Sequence, residues 1–193
     1  MHKISLYQFL TQKDHFVEEV IQNKLFVYPT DTLYGIGWLF SHNNIERIAK
    51  IKKRNMSKKM SIIAPSFDRI FKNFHVSNPE YLLEMFNKYH WVTYILEPKS
   101  TISEYSLYET QREDKTIGVR IIKHPFQEFI TYMGKPFIST SVNFSGKPNA
   151  KLLTELEPKI LESVDYVVDG KEVLGKASVL VWVDNNKIYV RDE

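Results

Sequence analysis

The sequence predicts an α/β (α+β) fold: one mixed β-sheet covered by helices, with residues 1–193 forming a single domain. Three observations point there. Short runs rich in β-branched and aromatic residues alternate with stretches of helical spacing. The last three runs follow one another without an intervening helix. Hydrophobic residues make up 43% of the chain and aromatics 13%, which builds a core and excludes intrinsic disorder.

Val17, Val20 and Ile21 recur at helical spacing in DHFVEEVIQNKL, and LFVY at 25–28 reads as a short buried strand. A second helix is expected in NNIERIAKIKK, with Ile45, Ile48 and Ala49 on one face and Asn43 as its cap. MSIIA (60–64) reads as a strand and FDRIFKNF as a short helix. Asn78 and Pro79 open the next helix, because proline suits the first helical turn. WVTYIL and TIGVRII are strand-like, and 99–115 is the least regular stretch. Pro125 starts a helix that Gly134 closes, and KPFISTS follows as a strand. TELEPKILESV reads as a helix weakened or kinked near Pro158. DYVVD, ASVLVWV and KIYVR complete the sheet, the last two as a hairpin through Asp184, Asn185 and Asn186.

Several function classes fall away. Cysteine is absent, which excludes disulfides, thiol nucleophiles and cysteine-ligated metals. The six histidines show no metal-ligand spacing, and no G-x-S-x-G elbow or paired-carboxylate motif stands out. No apolar run approaches the roughly 20 residues that cross a bilayer. The N-terminus MHKISLYQFL lacks the apolar core of a signal peptide, so the expectation is a soluble cytoplasmic protein with no membrane partner. Net charge is only +3, but KIKKRNMSKK (50–59) holds six basic residues in ten. Such a run is either a solvated face or a site for phosphates or nucleic acid.

The placement of the seven glycines narrows the choice. Gly134 has an ordinary role as a helix stop, while the other six fall in PTDTLYGIG, TIGVR, STSVNFSGKPN and DGKEVLGKAS. Glycine admits close approach and positive φ, and three of these stretches concentrate hydroxyl groups. They suggest loops converging on a polar, anionic ligand. PTDTLYGIG fits neither a P-loop nor a dinucleotide fingerprint, since Trp38 and Phe40 occupy the decisive positions. Lys52 and Arg54 diverge on a helix but converge where the chain leaves it, as a phosphate clamp would. Arg120 in an apolar strand needs an anionic partner, either a structural acid or a substrate carboxylate. Chemistry here rests on positioning and electrostatics.

Taken in order, these stretches resemble the YrdC-type threonylcarbamoyl-AMP synthase family. Its PT(E/D)TxYGLG reads PTDTLYGIG here, its KxR helix end KKRNMSKKMSII, its xVR strand IGVRIIKHP and its S-A-N-x-S-G-x-P loop SVNFSGKP. A final DGG…G-x-(E)ST strand is matched by DGKEVLGKASVL. The sequence departs from the family pattern at Asn55, Lys59, Met60, Val142 and Val179, and in KYHWVT, where only Thr93 of the mid-chain motif is kept.

The resemblance implies a YrdC/RibB-like twisted mixed sheet flanked by helices, with a large basic cavity, in the short form of the family. It implies that threonine, bicarbonate (or CO2) and ATP give threonylcarbamoyl-adenylate and pyrophosphate, with Mg2+ carried by ATP. The product would serve tRNA modification, through tRNA directly or through a threonylcarbamoyl-transferase complex. By position, Arg54, Lys58, Thr116, Ser141, Asn149 and Arg191 would contact nucleotide. Thr32, Arg120, Ser139 and Ser178 would contact threonine, and Lys52, Arg54, Ser141 and Asn143 would carry the catalysis. Two alternatives stand beside it: a non-catalytic RNA-binding relative, and a paralogue acting on another amino acid.

Overall fold

In the computed structural model, residues 1–39, 41–55, 60–89, 91–99, 116–184 and 187–191 are described, and their strands join one mixed sheet. The strands are β1 (His2–Ser5), β2 (Phe26–Pro29), β3 (Tyr34–Gly37), β4 (Ser61–Ile63), β5 (Phe74–His75), β6 (Val92–Pro98), β7 (Ile117–Arg120), β8 (Phe137–Ser141), β9 (Tyr166–Asp169), β10 (Val179–Asp184) and β11 (Lys187–Arg191). Their order is β1-β9-β2-β3-β8-β4-β7-β6-β10-β11, with β5 added to β6. β9 runs parallel to β1 and β2, β4 to β7, and β6 to β10, while the other neighbours are antiparallel. The helices are α1 (Leu6–Thr11), α2 (Lys13–Ile21), α3 (His42–Ile51), α4 (Phe67–Asn73), α5 (Pro79–Lys88), α6 (Phe126–Met133) and α7 (Pro158–Glu162).

Strand alternation sends side chains to two cores. On one face Phe26, Tyr28, Ile63, Phe137 and Val168 meet Phe9 of α1, Phe16 and Val20 of α2, and Phe126, Phe129 and Ile130 of α6. Aromatic contacts dominate that side: Phe9 stacks on Phe16 with centroids 4.7 Å apart, and Tyr28 stacks on Phe126 at 4.4 Å. On the other face Val27, Ile36, Ile62, Tyr94, Val119 and Ile138 meet apolar residues of α3, α4, α5 and α7.

Most expected elements are present within a residue or two, and four differ. The β1–α1 unit was not anticipated, although Ser5 and Gln8 form a capping box that the sequence contains. The cap of α3 is Ser41, whose hydroxyl accepts from the Asn44 N–H, and Asn43 lies inside the helix. Pro158 begins α7 where a kink was expected, because its missing N–H costs nothing at the first helical position. A 3-10 turn, Leu153–Glu155, stands apart before it.

The fourth difference is YGIG, which is strand β3 of a hairpin with β2. Its glycines answer to packing. A Cβ on Gly35 would lie 2.8 Å from the Tyr28 ring, and one on Gly37 only 2.0 Å from the Ile138 carbonyl oxygen. The Tyr28 ring occupies that space and its hydroxyl donates to the same carbonyl at 2.9 Å. Gly37→Ala should therefore destabilise the fold by about 2–3 kcal/mol through overpacking. Gly146→Ala, which meets open space at φ 82°, should cost about 1 kcal/mol of backbone strain. Urea denaturation of the two variants checks the order, and equal costs would refute the packing account.

Candidate functional site

The turn after β2 is built by one threonine. The Thr30 hydroxyl donates to the Leu33 carbonyl at 2.7 Å and accepts from the Thr32 and Leu33 N–H groups, both at 3.1 Å. With the Thr30 proton used there, the 3.0 Å contact between the two hydroxyls makes Thr32 the donor. Thr32 Oγ1 in turn accepts from Arg120 Nη1 at 3.0 Å. Asp31 closes the arrangement: Oδ1 takes Arg120 Nη2 at 2.6 Å, and Oδ2 accepts from the Lys123 N–H at 3.0 Å. Arg120 is 6% exposed. Its anionic partner is thus a structural acid, and its Nε–H is buried without a partner among the described residues.

The end of α3 places the next cations. Lys53 takes a left-handed φ of 50°, and the Arg54 N–H returns to the Ala49 carbonyl at 2.8 Å. That reversal turns Lys52 inward and sets both Lys52 and Arg54 on one cavity. Lys52 is 1% exposed, and its Nζ donates to the Ser141 carbonyl oxygen, to Asn143 Oδ1 at 3.3 Å and to Ser141 Oγ at 3.5 Å. Burial, and then the charge of Arg54, lower its pKa from 10.5 to about 7. The Ser141 hydroxyl donates to Asn143 Oδ1 at 2.6 Å, and Asn143 Nδ2 donates to the Lys147 carbonyl at 2.6 Å and to Asn149 Oδ1 at 3.3 Å. Lys52 and Asn143 therefore hold the shape of the 141–149 loop.

The cavity has a volume of about 880 Å³. Its floor is the half of the aromatic sheet face that α1, α2 and α6 leave bare. Ser61 registers with Ser139, Gly118 with Ile95, and Ile95 with Trp182. Gly118 keeps the floor low at the centre, and a Cβ there would meet Ser61 Oγ at 2.6 Å and Thr93 Cγ2 at 3.0 Å. Thr93 and Ser178 join their hydroxyls at 2.7 Å across β6 and the start of β10.

The lining brings together Thr32, Lys52, Arg54, Arg120, Ser139, Ser141, Asn143, Asn149 and Ser178, all expected from sequence. Thr116 lies just before β7 and is not in the lining. Lys58 and the side chain of Arg191 lie outside the described residues, as does most of 99–115. Sequence reasoning missed Ser61, Ile95, Lys147, Leu180 and Trp182 as lining residues. Strand parity marks the face of four of them, but only once the strand order is known. The described lining carries four cations, Lys52, Arg54, Arg120 and Lys147, and no carboxylate.

The family profile Sua5_yciO_yrdC, described as telomere recombination, matches residues 19–192. A putative threonylcarbamoyl-AMP synthase of Methanocaldococcus jannaschii is 28% identical over 174 residues, covering 89% of this chain and 80% of the relative. A threonylcarbamoyl-AMP synthase of Haemophilus influenzae is 30% identical over 149 residues, covering 75% and 79%. The crystal structure of P. abyssi Sua5 complexed with L-threonine shares the fold, with a TM-score of 0.73 at 22% identity over 92% of this chain. This chain spans 52% of that one.

Two outcomes follow from the geometry. Asp31→Ala strands a buried guanidinium and should cost about 3–5 kcal/mol of stability in urea denaturation. A cost under about 1 kcal/mol would mean that Arg120 does not need this partner. Lys52 titrates near 7 when folded and near 10.5 when unfolded, so the unfolded chain binds more protons between those values. Its contribution to stability accordingly rises with pH across that window, by at most about 1.4 kcal/mol per unit. Unfolding at pH 6.5 and pH 9 should show Lys52→Met losing ground to the wild type at the higher pH. A constant difference would refute the shift.

Proposed function

This chain belongs to the Sua5/YciO/YrdC family, and from that premise we propose that it makes L-threonylcarbamoyladenylate from L-threonine, bicarbonate or CO2, and ATP, releasing pyrophosphate. One observation carries the reading: the phosphate-type cation Arg54 and the carboxylate-type cation Arg120 face one cavity, with the Ser141–Asn143 turn lining it too. Relatives that bear the synthase name, and a family structure complexed with L-threonine, support the choice of substrates.

In this reading the threonine carboxylate sits against the Arg120 guanidinium, with Thr32, Ser139 and Ser178 around the rest of the amino acid. The free amine captures CO2 as a carbamate. A carbamate oxygen then attacks the α-phosphorus of ATP, and the bond to the bridging oxygen breaks as pyrophosphate leaves. Arg54 offsets charge on the departing phosphates, while Lys52 and Asn143 position the loop carrying Ser141 and Asn149. Lys58, Thr116 and Arg191 are the remaining proposed nucleotide contacts. Mg2+ would enter on the triphosphate, because the cavity's own side chains offer hydroxyls, amides and cations. The adenylate would then pass to tRNA modification. No helix among the described residues is long and apolar enough to cross a membrane.

The decisive assay is pyrophosphate release from ATP that requires both threonine and bicarbonate. Folded protein that releases none with Mg2+ present would overturn the proposal. Serine in place of threonine tests the amino acid. Arg120→Lys keeps a charge for Asp31 but removes the planar guanidinium, and should raise the KM for threonine roughly 10- to 100-fold. Arg54→Ala should raise the KM for ATP on a similar scale and leave threonine nearly unaffected. Unchanged KM values in both variants would refute these roles.

A further inference from the structure

One end of the cavity floor has no part in the chemistry above. Across β6 and β10, Ile95 registers with Trp182 and Thr93 with Leu180. Ile95, Leu180 and Trp182 all line the cavity, on the sheet face opposite buried Tyr94 and Val181. Trp182 and Leu180 remain half-buried. A half-buried tryptophan beside isoleucine and leucine, at the end of the cleft away from Leu33 and Met60, is an apolar shelf.

Distance decides what the shelf holds. Ser139 and Ser141 stand on β8, and Trp182 stands four strand positions away through β4, β7 and β6. At about 4.8 Å per strand, this is on the order of 19 Å. Along β10 itself Trp182 lies four residues beyond Ser178, on the order of 13 Å. An amino acid held at Arg120 and Ser178 therefore stops short of the shelf, whereas an extended nucleoside triphosphate reaches it from the 141–149 loop. Its phosphates match Arg54 and the 141–149 loop, and its base, flat and apolar on both faces, matches the shelf. The sheet floor between them is kept low by Gly118. Leu180 also registers with Arg191, which puts the shelf beside a strand position already proposed as a nucleotide contact.

We propose that Trp182, backed by Ile95 and Leu180, is the stacking platform for the purine base of the bound nucleotide, and that it sets a preference for purine over pyrimidine triphosphates. The inference rests on the ATP-dependent reading above. Stacking on an aromatic side chain is tolerant of base identity but stronger for the larger purine ring system.

The test is equilibrium binding, followed by tryptophan fluorescence and by calorimetry, without turnover. Wild-type protein should bind a non-hydrolysable ATP analogue with quenching of its fluorescence, and bind CTP at least several-fold more weakly. Trp182→Ala should weaken the ATP analogue roughly 10- to 100-fold and erase the preference over CTP, with threonine affinity unchanged. Trp182→Phe should retain most of the affinity but lose the quenching. Circular dichroism and thermal unfolding establish that both variants are folded. Should Trp182→Ala fail to fold, Trp182→Phe and the base preference still decide.

Wild-type ATP affinity in folded Trp182→Ala would overturn the platform. So would a loss confined to threonine, which would assign the shelf to the amino-acid side chain, and so would quenching that persists in Trp182→Phe. A wild-type protein that binds no nucleotide overturns it as well. A protein that shows the binding pattern but releases no pyrophosphate keeps the platform and overturns the synthase reading, so the two failures are distinct.

Discussion

The buried guanidinium of Arg120 is the constraint to which the site answers. At 6% exposure its charge is not solvated by water, so the protein must supply the counter-charge and the acceptors. It does so from a single turn: Asp31 gives the carboxylate and Thr32 the hydroxyl, and Thr30 fixes the geometry of both. The second Asp31 oxygen reaches the Lys123 N–H, so the same ion pair ties the turn after β2 to the segment that leads into α6. Four strand positions separate β2 from β7, and this contact bridges them outside the sheet ladder. A replacement by apolar residues could pack as well, but it would leave no positive charge in this part of the lining.

The sheet face that carries the site is divided by what covers it. Toward β2 it is aromatic and roofed by α1, α2 and α6; toward β6 and β10 it is open, hydroxylated at Thr93 and Ser178 and apolar at Ile95, Leu180 and Trp182. The division lies within single strands. On β8, Phe137 is buried in the aromatic core, while Ser139, two residues on and on the same face, lines the cavity. On β4 the exchange is Ile63 for Ser61. One continuous sheet therefore supplies both the rigid support and the floor of the cleft. Precision in the site follows from packing that starts two residues away.

This arrangement explains which parts were legible in the sequence. Local signals survived folding: the caps at Asn78 and Gly134, the strand runs, and the hydroxyl-rich stretch after β8. The nine lining residues expected from motifs also converge, because each motif sits at the end of an element that the sheet brings together. What was hidden depends on non-local geometry. Gly35 and Gly37 look like ligand-cradle residues, but they make room for a tyrosine on the neighbouring strand. Lys52 reads as a free phosphate cation until the left-handed turn at Lys53 shows it buried under the 141–149 loop. Trp182 reads as one more strand aromatic, since parity cannot tell a covered face from an open one.

The burial of Lys52 also bears on how the cleft would manage a triphosphate. A lysine whose three N–H directions meet the acceptors of Ser141 and Asn143, and whose charge is held down by burial, is a weak partner for phosphate. Arg120 is likewise half-neutralised by Asp31. Of the four described cations in the lining, Lys52 and Arg120 thus already meet protein acceptors. In the proposed reaction a triphosphate would therefore need counter-charge that arrives with the nucleotide. A divalent ion on the phosphate oxygens would supply it where negative charge develops on the leaving group. In that proposed division of labour the lysine would serve as a spacer held between charge and burial, and Arg54 would be the group that acts on pyrophosphate.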